Sequence, residues 1–245
     1  MEVHHHAHTE RKKWTHYFWE FFMLFLAVFC GFLAENQREH FVEHSREKQY
    51  MRSLTEDLET DTVELHRAIG KADTIAHYSD SVLRFLASYK ISTKVPVRLA
   101  TLVGLGGQRQ VLINTDRTSS QLKNSGAMRL IRIKKVTDLI LKYWKQIDET
   151  NISLDRYLTY RNSSRELVFK LWVIPEVYRT GLSMEIDSIK QLKAIDEDPK
   201  KWDEFANLTA MSGAITRNTH LKNLEQQLYM ARELILVIKD EYHFK

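Results

Sequence analysis

WTHYFWEFFMLFLAVFCGFLA, residues Trp14–Ala34, is the one stretch of this chain able to cross a bilayer, and the rest of the sequence is arranged around it. A membrane-spanning helix needs roughly 20 mostly apolar residues, at about 1.5 Å rise each, to cover about 30 Å of hydrocarbon. Phe21–Ala34 is uninterrupted and apolar but too short alone. Trp14–Glu20 supplies the missing length and brings Trp14, Tyr17 and Trp19 to the headgroup belt. A buried core helix rarely carries so dense a run of phenylalanines, and a cleaved signal peptide would offer a small-residue site, for which Phe32-Leu33-Ala34-Glu35 is poorly suited. The segment reads as a retained anchor, and the lipid bilayer is the first partner it implies.

The anchor is two-faced. At about 100° per residue, His16, Glu20, Leu24, Ala27, Gly31, Ala34 and Arg38 gather along one line, while Phe18, Phe22, Phe25, Phe29 and Phe32 gather along the opposite one. Ala27 and Gly31 form a small-xxx-small step that lets two helix backbones approach. Glu20 lies about one turn inside the apolar boundary, where a carboxylate is costly unless protonated or paired, and His16 stands four residues before it. Two readings stand side by side. Either His16, Glu20, Ala27, Gly31 and Ala34 face another transmembrane helix, from a membrane partner or a second copy, or Glu20 reaches to the interface and the small residues are incidental.

Charge and cysteine use narrow the rest. The 245 residues carry a net charge of +4 with their basic and acidic residues interleaved, so the gathered basic stripe that nucleic acid requires is not in evidence. A mean hydropathy of −0.40 is that of a soluble domain in spite of the anchor, and the later apolar runs Leu167–Ile174 and Leu234–Ile238 are too short to span. The single cysteine, Cys30, rules out an intrachain disulfide and fits a bacterial envelope or a cytosol. Arg11, Lys12 and Lys13 abut the start of the anchor more compactly than Arg38, Arg46 and Lys48 follow its end. The positive-inside rule therefore places the N-terminus in the cytosol and the following domain in the periplasm of a bacterial inner membrane.

Residues 1–13, MEVHHHAHTERKK, read as a disordered basic tail; His4, His5, His6 and His8 are weak metal-ligand candidates without the spacing of a closed site. After Ala34 nothing stops the helix, and Met51, Leu54, Leu58, Leu65 and Ile69 continue a stripe in which Asp61 stands at a position that should be apolar. The expected course is a stalk helix ending at Gly70 and a second helix over Asp73–Lys90, interrupted at Val95-Pro96. Gly104–Gly107 (GLGG) lacks the spacing of a phosphate-binding loop and is expected to be a flexible connection. Thr115 or Asp116 is expected to cap a short helix through Leu122–Asn124 that stops at Gly126. Helices over Leu130–Ile147 and Ile152–Trp172 should follow, the second ended by Ile174-Pro175. Gly181–Pro199 reads as a polar loop, Pro199 as a helix start, and Gly213 as the break before a last helix over Ala214–Tyr242. No run alternates as a strand would. The fold class is therefore all-α: a transmembrane helix (14–34) continuing into a long stalk helix, then an antiparallel helical bundle, the soluble domain as a whole spanning 35–245.

Two stretches carry a resemblance. Glu20 with the run FLAVFCGFLAEN (Phe25–Asn36), Tyr50-Met51-Arg52-Ser53-Leu54 and Asp57-Leu58 resemble an uncharacterised family of small single-pass membrane-anchored helical proteins abundant in Bacteroidota, as does the MEVHHH opening. Leu122, Ser125-Gly126 and Leu130-Ile131 are similar to an L-x-x-S-G-x-x-x-L-I signature of the same or a related family. The resemblance implies a native His tail and an anchored helical domain; it brings with it no activity, cofactor or catalytic residue.

Chemistry finds no frame in the residues. No G-x-S-x-G turn presents a serine, and His40 and His44 share a stalk face with Glu39, Glu43 and Glu47 but lack the H-E-x-x-H order of a zinc site. The expectation is a non-enzymatic protein without cofactor. Its first reading is a scaffold or accessory subunit that docks a membrane partner or forms a homo-oligomer through its span. The alternative is a periplasmic helical bundle that senses a ligand between its helices and signals through a partner. A large apolar pocket with converging polar groups would favour the alternative.

Overall fold

The computed structural model describes residues 14–173 and 191–244. The histidine tail, Pro175 and most of the loop expected before Pro199 lie outside the described residues. Contacts divide the chain into Met1–Gln49 and Tyr50–Lys245.

In the first unit every residue from Trp14 to Phe41 is exposed, and the helix there is long and apolar enough to cross a membrane. Its phenylalanines stack along the surface, Phe18 on Phe22, Phe21 on Phe25 and Phe25 on Phe29, as residues four apart on a helix must. Arg38 clasps Glu35 with two hydrogen bonds of 3.0 and 2.6 Å just past the apolar run.

The helix that begins here, α1, spans Trp14–Ser88 without a break. Gly70 is not its stop. A glycine inside a helix costs about 1 kcal/mol relative to alanine, less than the burial of Leu65, Ala72 and Ile75 around it returns. The helix expected over Asp73–Lys90 is thus the last part of α1. Strand β1 (Lys94–Pro96) follows, then α2 (Val97–Gly106), α3 (Arg117–Asn124) and a 3₁₀ turn over Ala127–Leu130. A single helix, α4, covers Lys134–Leu171 where a break had been expected near Ile147–Ile152. The polar residues there are absorbed: Thr150 is buried, its hydroxyl donating to the Gln146 carbonyl at 2.9 Å. Strand β2 (Gln191–Lys193) pairs antiparallel with β1, Val95 opposite Leu192, a sheet too short to show alternation in sequence.

Helix α5 (Pro199–Ile215) starts where Pro199 predicted, with the Asp198 carboxylate accepting from the Lys200 amide at 3.0 Å. Gly213 does not end it. A π-helical turn over Thr216–His220 carries it into α6 (Leu221–Tyr242). Gly213 is there for room: a Cβ on it would stand 2.9 Å from the Ser79 Cβ of α1.

Cross-helix pairs give the topology of Tyr50–Lys245. Glu59 meets Lys239, His66 meets Arg232 and Asp80 meets Arg217, so α5–α6 runs antiparallel to α1. Gln146 meets Asn223, Ser153 meets His220 and Ser164 meets Thr209, so it is antiparallel to α4 as well. Helices α1 and α4 consequently share a direction, and the β1–α2–α3 stretch is the crossover that brings the chain back between them. One core gathers Met51, Leu54 and Leu58 with Val136, Ile140 and Leu234; another gathers Val82, Leu99, Leu171, Trp172, Trp202 and Phe205.

The out-of-pattern Asp61 explains the crossover. It is buried, and its two oxygens accept the Thr115 amide at 2.7 Å and the Tyr143 hydroxyl at 2.8 Å. One turn earlier, Asp57 accepts the Thr118 amide at 2.9 Å and Arg117 at 2.7 Å. Two α1 carboxylates therefore hold the chain at its entry to α3 and take one of the free amides of the helix's first turn. Asp116, the expected cap, occupies the cap position, but its carboxylate takes the Ser120 hydroxyl instead. Gly126 does close α3, in the left-handed conformation at φ 66°.

Candidate functional site

Small residues leave a hole beside the second core. Helix α2 approaches α1 through Gly106, where a Cβ would lie 3.2 Å from the Ser79 amide nitrogen. Helix α5 approaches the same serine through Gly213. Ser79 is thus held between two glycines, and around it Ala100, Gly104, Ser164 and Ser212 contribute little volume. The result is a cavity of about 540 Å³ bounded by α1, α2, α4, α5 and β2, a size typical of small-molecule sites. Gly104 faces open space, with nothing within 4 Å of where its Cβ would be.

The GLGG stretch, expected to be a flexible connection, is the end of α2 and one edge of this cavity. Helix α4 pins it. The Tyr157 hydroxyl donates to the Gln108 carbonyl at 2.6 Å, and the Arg161 Nε donates to the Gly107 carbonyl at 2.8 Å. Burial pushes the Tyr157 phenol up to about 12, which keeps it a donor across the physiological range.

The lining is chemically mixed. Val82, Val103, Val168, Trp172 and Leu192 make its apolar part. Trp172 is fixed by stacking on Trp202 and by an edge contact with Phe205. The polar part includes Arg161 and, one turn on along the same helix, Arg165, whose guanidinium lies 5.8 Å from the Phe169 ring centre. Ser164 and Thr209 share a hydrogen bond of 3.2 Å across α4 and α5. Burial lowers the Arg161 pKa, and the like charges of Arg165 and Arg109 act the same way against the opposing pull of Tyr157. Among the described residues neither Arg161 nor Arg165 forms an ion pair.

A second constellation lies deeper. The His220 Nδ1 is 2.7 Å from the Ser153 hydroxyl, and both residues are buried. Burial pushes the imidazole down to about 4, so it is neutral at physiological pH. The space beside it, about 10 Å³, holds no more than a water. This serine and histidine tie α4 to the π-helical turn; a substrate has no room at them.

Of the residues singled out in sequence, His16 and Glu20 do meet, Nε2 to Oε1 at 2.9 Å, on the exposed anchor helix. Ala27, Gly31 and Ala34 are exposed on the same helix, with nothing within 4 Å of the Gly31 Cβ position. His4, His5, His6 and His8 lie outside the described residues. No cluster of metal-ligating side chains occurs among the described residues. Arg161 and Arg165 carry no mark in the sequence; the one local signal for the cavity is the density of glycine at 104–107.

Compared with family models, curated proteins and solved structures, the chain matches none.

Proposed function

We propose that this chain is a single-pass protein of a bacterial inner membrane whose helical domain, on the periplasmic side, binds a small ligand in the cavity between α1, α2, α4 and α5. The cavity carries this reading: it is large, walled mainly by apolar side chains, and lined as well by a few polar groups, a combination typical of ligand sites. The ligand-sensing alternative thereby takes precedence over a scaffold without a ligand. A binding module is the reading we favour: the Ser153–His220 pair is buried, and what the described residues bring to the cavity wall is cations and hydroxyls.

The scaffold reading has its own support at the anchor. The His16–Glu20 pair lies on the line that also holds Ala27, Gly31 and Ala34, and a paired carboxylate is cheaper to keep near the apolar region than a free one. Docking of that face on a membrane partner, or on a second copy, gives a ligand-binding domain a route for passing its state onward.

Native mass spectrometry of the full chain released from its own membranes tests the ligand reading. A small molecule should accompany the wild-type protein and be lost from Gly104→Leu, which adds a bulky side chain to the cavity lining where a Cβ would meet no atom within 4 Å. Identical spectra for the two proteins, with no bound molecule in either, would refute it.

A further inference from the structure

We propose that the cavity selects an amphipathic oxyanion: one carboxylate or phosphate head held by Arg161 and Arg165, with an apolar body lying on Val82, Val103, Val168 and Trp172. This rests on the reading of the cavity as a ligand site and adds the chemical class of what enters it.

The charge balance makes the argument. Two guanidinium groups one helical turn apart line the same cavity, with a third arginine, Arg109, near enough to repel Arg161. Among the described residues no carboxylate pairs with Arg161 or Arg165, although elsewhere in the domain Arg117 and Arg217 each have an acidic partner. The half-buried Arg161, held in a partly apolar lining without a counter-charge, is unfavourable alone and favourable once an anion arrives, and the exposed Arg165 one turn on adds to the attraction.

Arg161 is also prepared for the task. Its Nε is committed to the Gly107 carbonyl and its Nη1 to the Asn162 side chain at 2.9 Å, while Nη2 makes no hydrogen bond among the described residues. The guanidinium plane is therefore fixed before a ligand binds, which removes part of the ordering cost of binding. Among the described residues Arg165 has no such commitment beyond its contact with Phe169, and it is exposed, free to turn toward a head group. The Ser164 and Thr209 hydroxyls supply further donors near the arginines. The apolar residues of the lining offer nothing to a polar tail. A free inorganic anion would leave that surface empty, and a neutral hydrocarbon would leave the arginines unanswered.

The test is calorimetric titration of the full chain in phosphatidylcholine nanodiscs with octanoate, octyl phosphate, octanol, acetate and inorganic phosphate, each repeated on Gly104→Leu. Octanoate or octyl phosphate should bind one per chain, about tenfold or more tighter than octanol, as charge-assisted hydrogen bonds to arginine require. Acetate and inorganic phosphate should be weaker still. Gly104→Leu should abolish the saturable heat. Arg165→Gln, which breaks no hydrogen bond among the described residues, should weaken the two anions about tenfold and leave octanol unchanged. Preference between octanoate and octyl phosphate assigns the head as carboxylate or phosphate. Octanol binding as tightly as octanoate, or anion binding indifferent to Arg165→Gln, would overturn the anion assignment while leaving the ligand site in place. No saturable binding by any probe, together with no co-purified molecule, would overturn both.

Discussion

Tyr143 of α4 donates its hydroxyl to Asp61 of α1 at 2.8 Å inside the first core, where neither side chain is more than 3% exposed. The same carboxylate takes the Thr115 amide, so one residue joins α1, α4 and the chain entering α3. A polar residue in an apolar stripe is here the pin of the crossover.

Removing that pin should be expensive and replacing it by its isostere cheap. Asp61→Leu leaves the buried Tyr143 hydroxyl and the half-buried Thr115 amide unanswered, for a loss of about 2–4 kcal/mol; Asp61→Asn keeps an acceptor for Thr115 and should cost about 1 kcal/mol. Burial raises the Asp61 pKa, against the lowering effect of its bonds from Thr115 and Tyr143. The native state therefore holds this proton more tightly than the unfolded chain, and the group's contribution, complete below the ordinary aspartate pKa, is lost as pH rises through the raised one. Denaturant melts at several acidic pH values should show that slope in wild type and not in Asp61→Asn.

His220 gives a slope of the opposite sign. Its folded pKa of about 4 lies below the ordinary 6.5, so the unfolded chain binds the proton first. Its contribution is complete above pH 6.5 and falls as pH drops toward 4, by at most about 3 kcal/mol at 1.36 kcal/mol per unit. His220→Gln should be less stable at pH 7.5 but flatter between pH 6.5 and 4 in the same melts.

The approach of α5 to α1 can be tested at Gly213. Alanine there improves helix propensity yet places a methyl 2.9 Å from the Ser79 Cβ, so Gly213→Ala should destabilise by about 1–3 kcal/mol. Adding Ser79→Gly removes the opposing atom and should recover most of that loss, read as positive coupling in a double-mutant cycle.

The proposed membrane orientation depends on the basic block before the anchor. A C-terminal reporter active only in the periplasm should be on in wild type. Replacing Arg11, Lys12 and Lys13 by glutamine should lower its signal, since the charges after the span then dominate.

Some of this architecture was legible in the linear chain. The apolar segment at Trp14–Ala34, the Leu and Ile spacing of the stalk, Pro199 at a helix start and Gly126 at a helix end are local facts, set by hydropathy, by periodicity and by the φ that proline and glycine accept. What the glycines at 70 and 213 do is a different kind of fact. Within a window of a few residues, a glycine that ends a helix and one that admits a neighbour look alike; Ser79, far away in sequence, decides the second case. Asp61 looked like a flaw in the stripe until Thr115 and Tyr143 stood against it. The cavity belongs wholly to the tertiary structure. Its volume comes from small residues scattered over α1, α2, α4 and α5, and its charge from two arginines whose neighbours are apolar only after folding. Periodicity reports which side of a helix is buried; only the packed helices determine whether the space between them is filled.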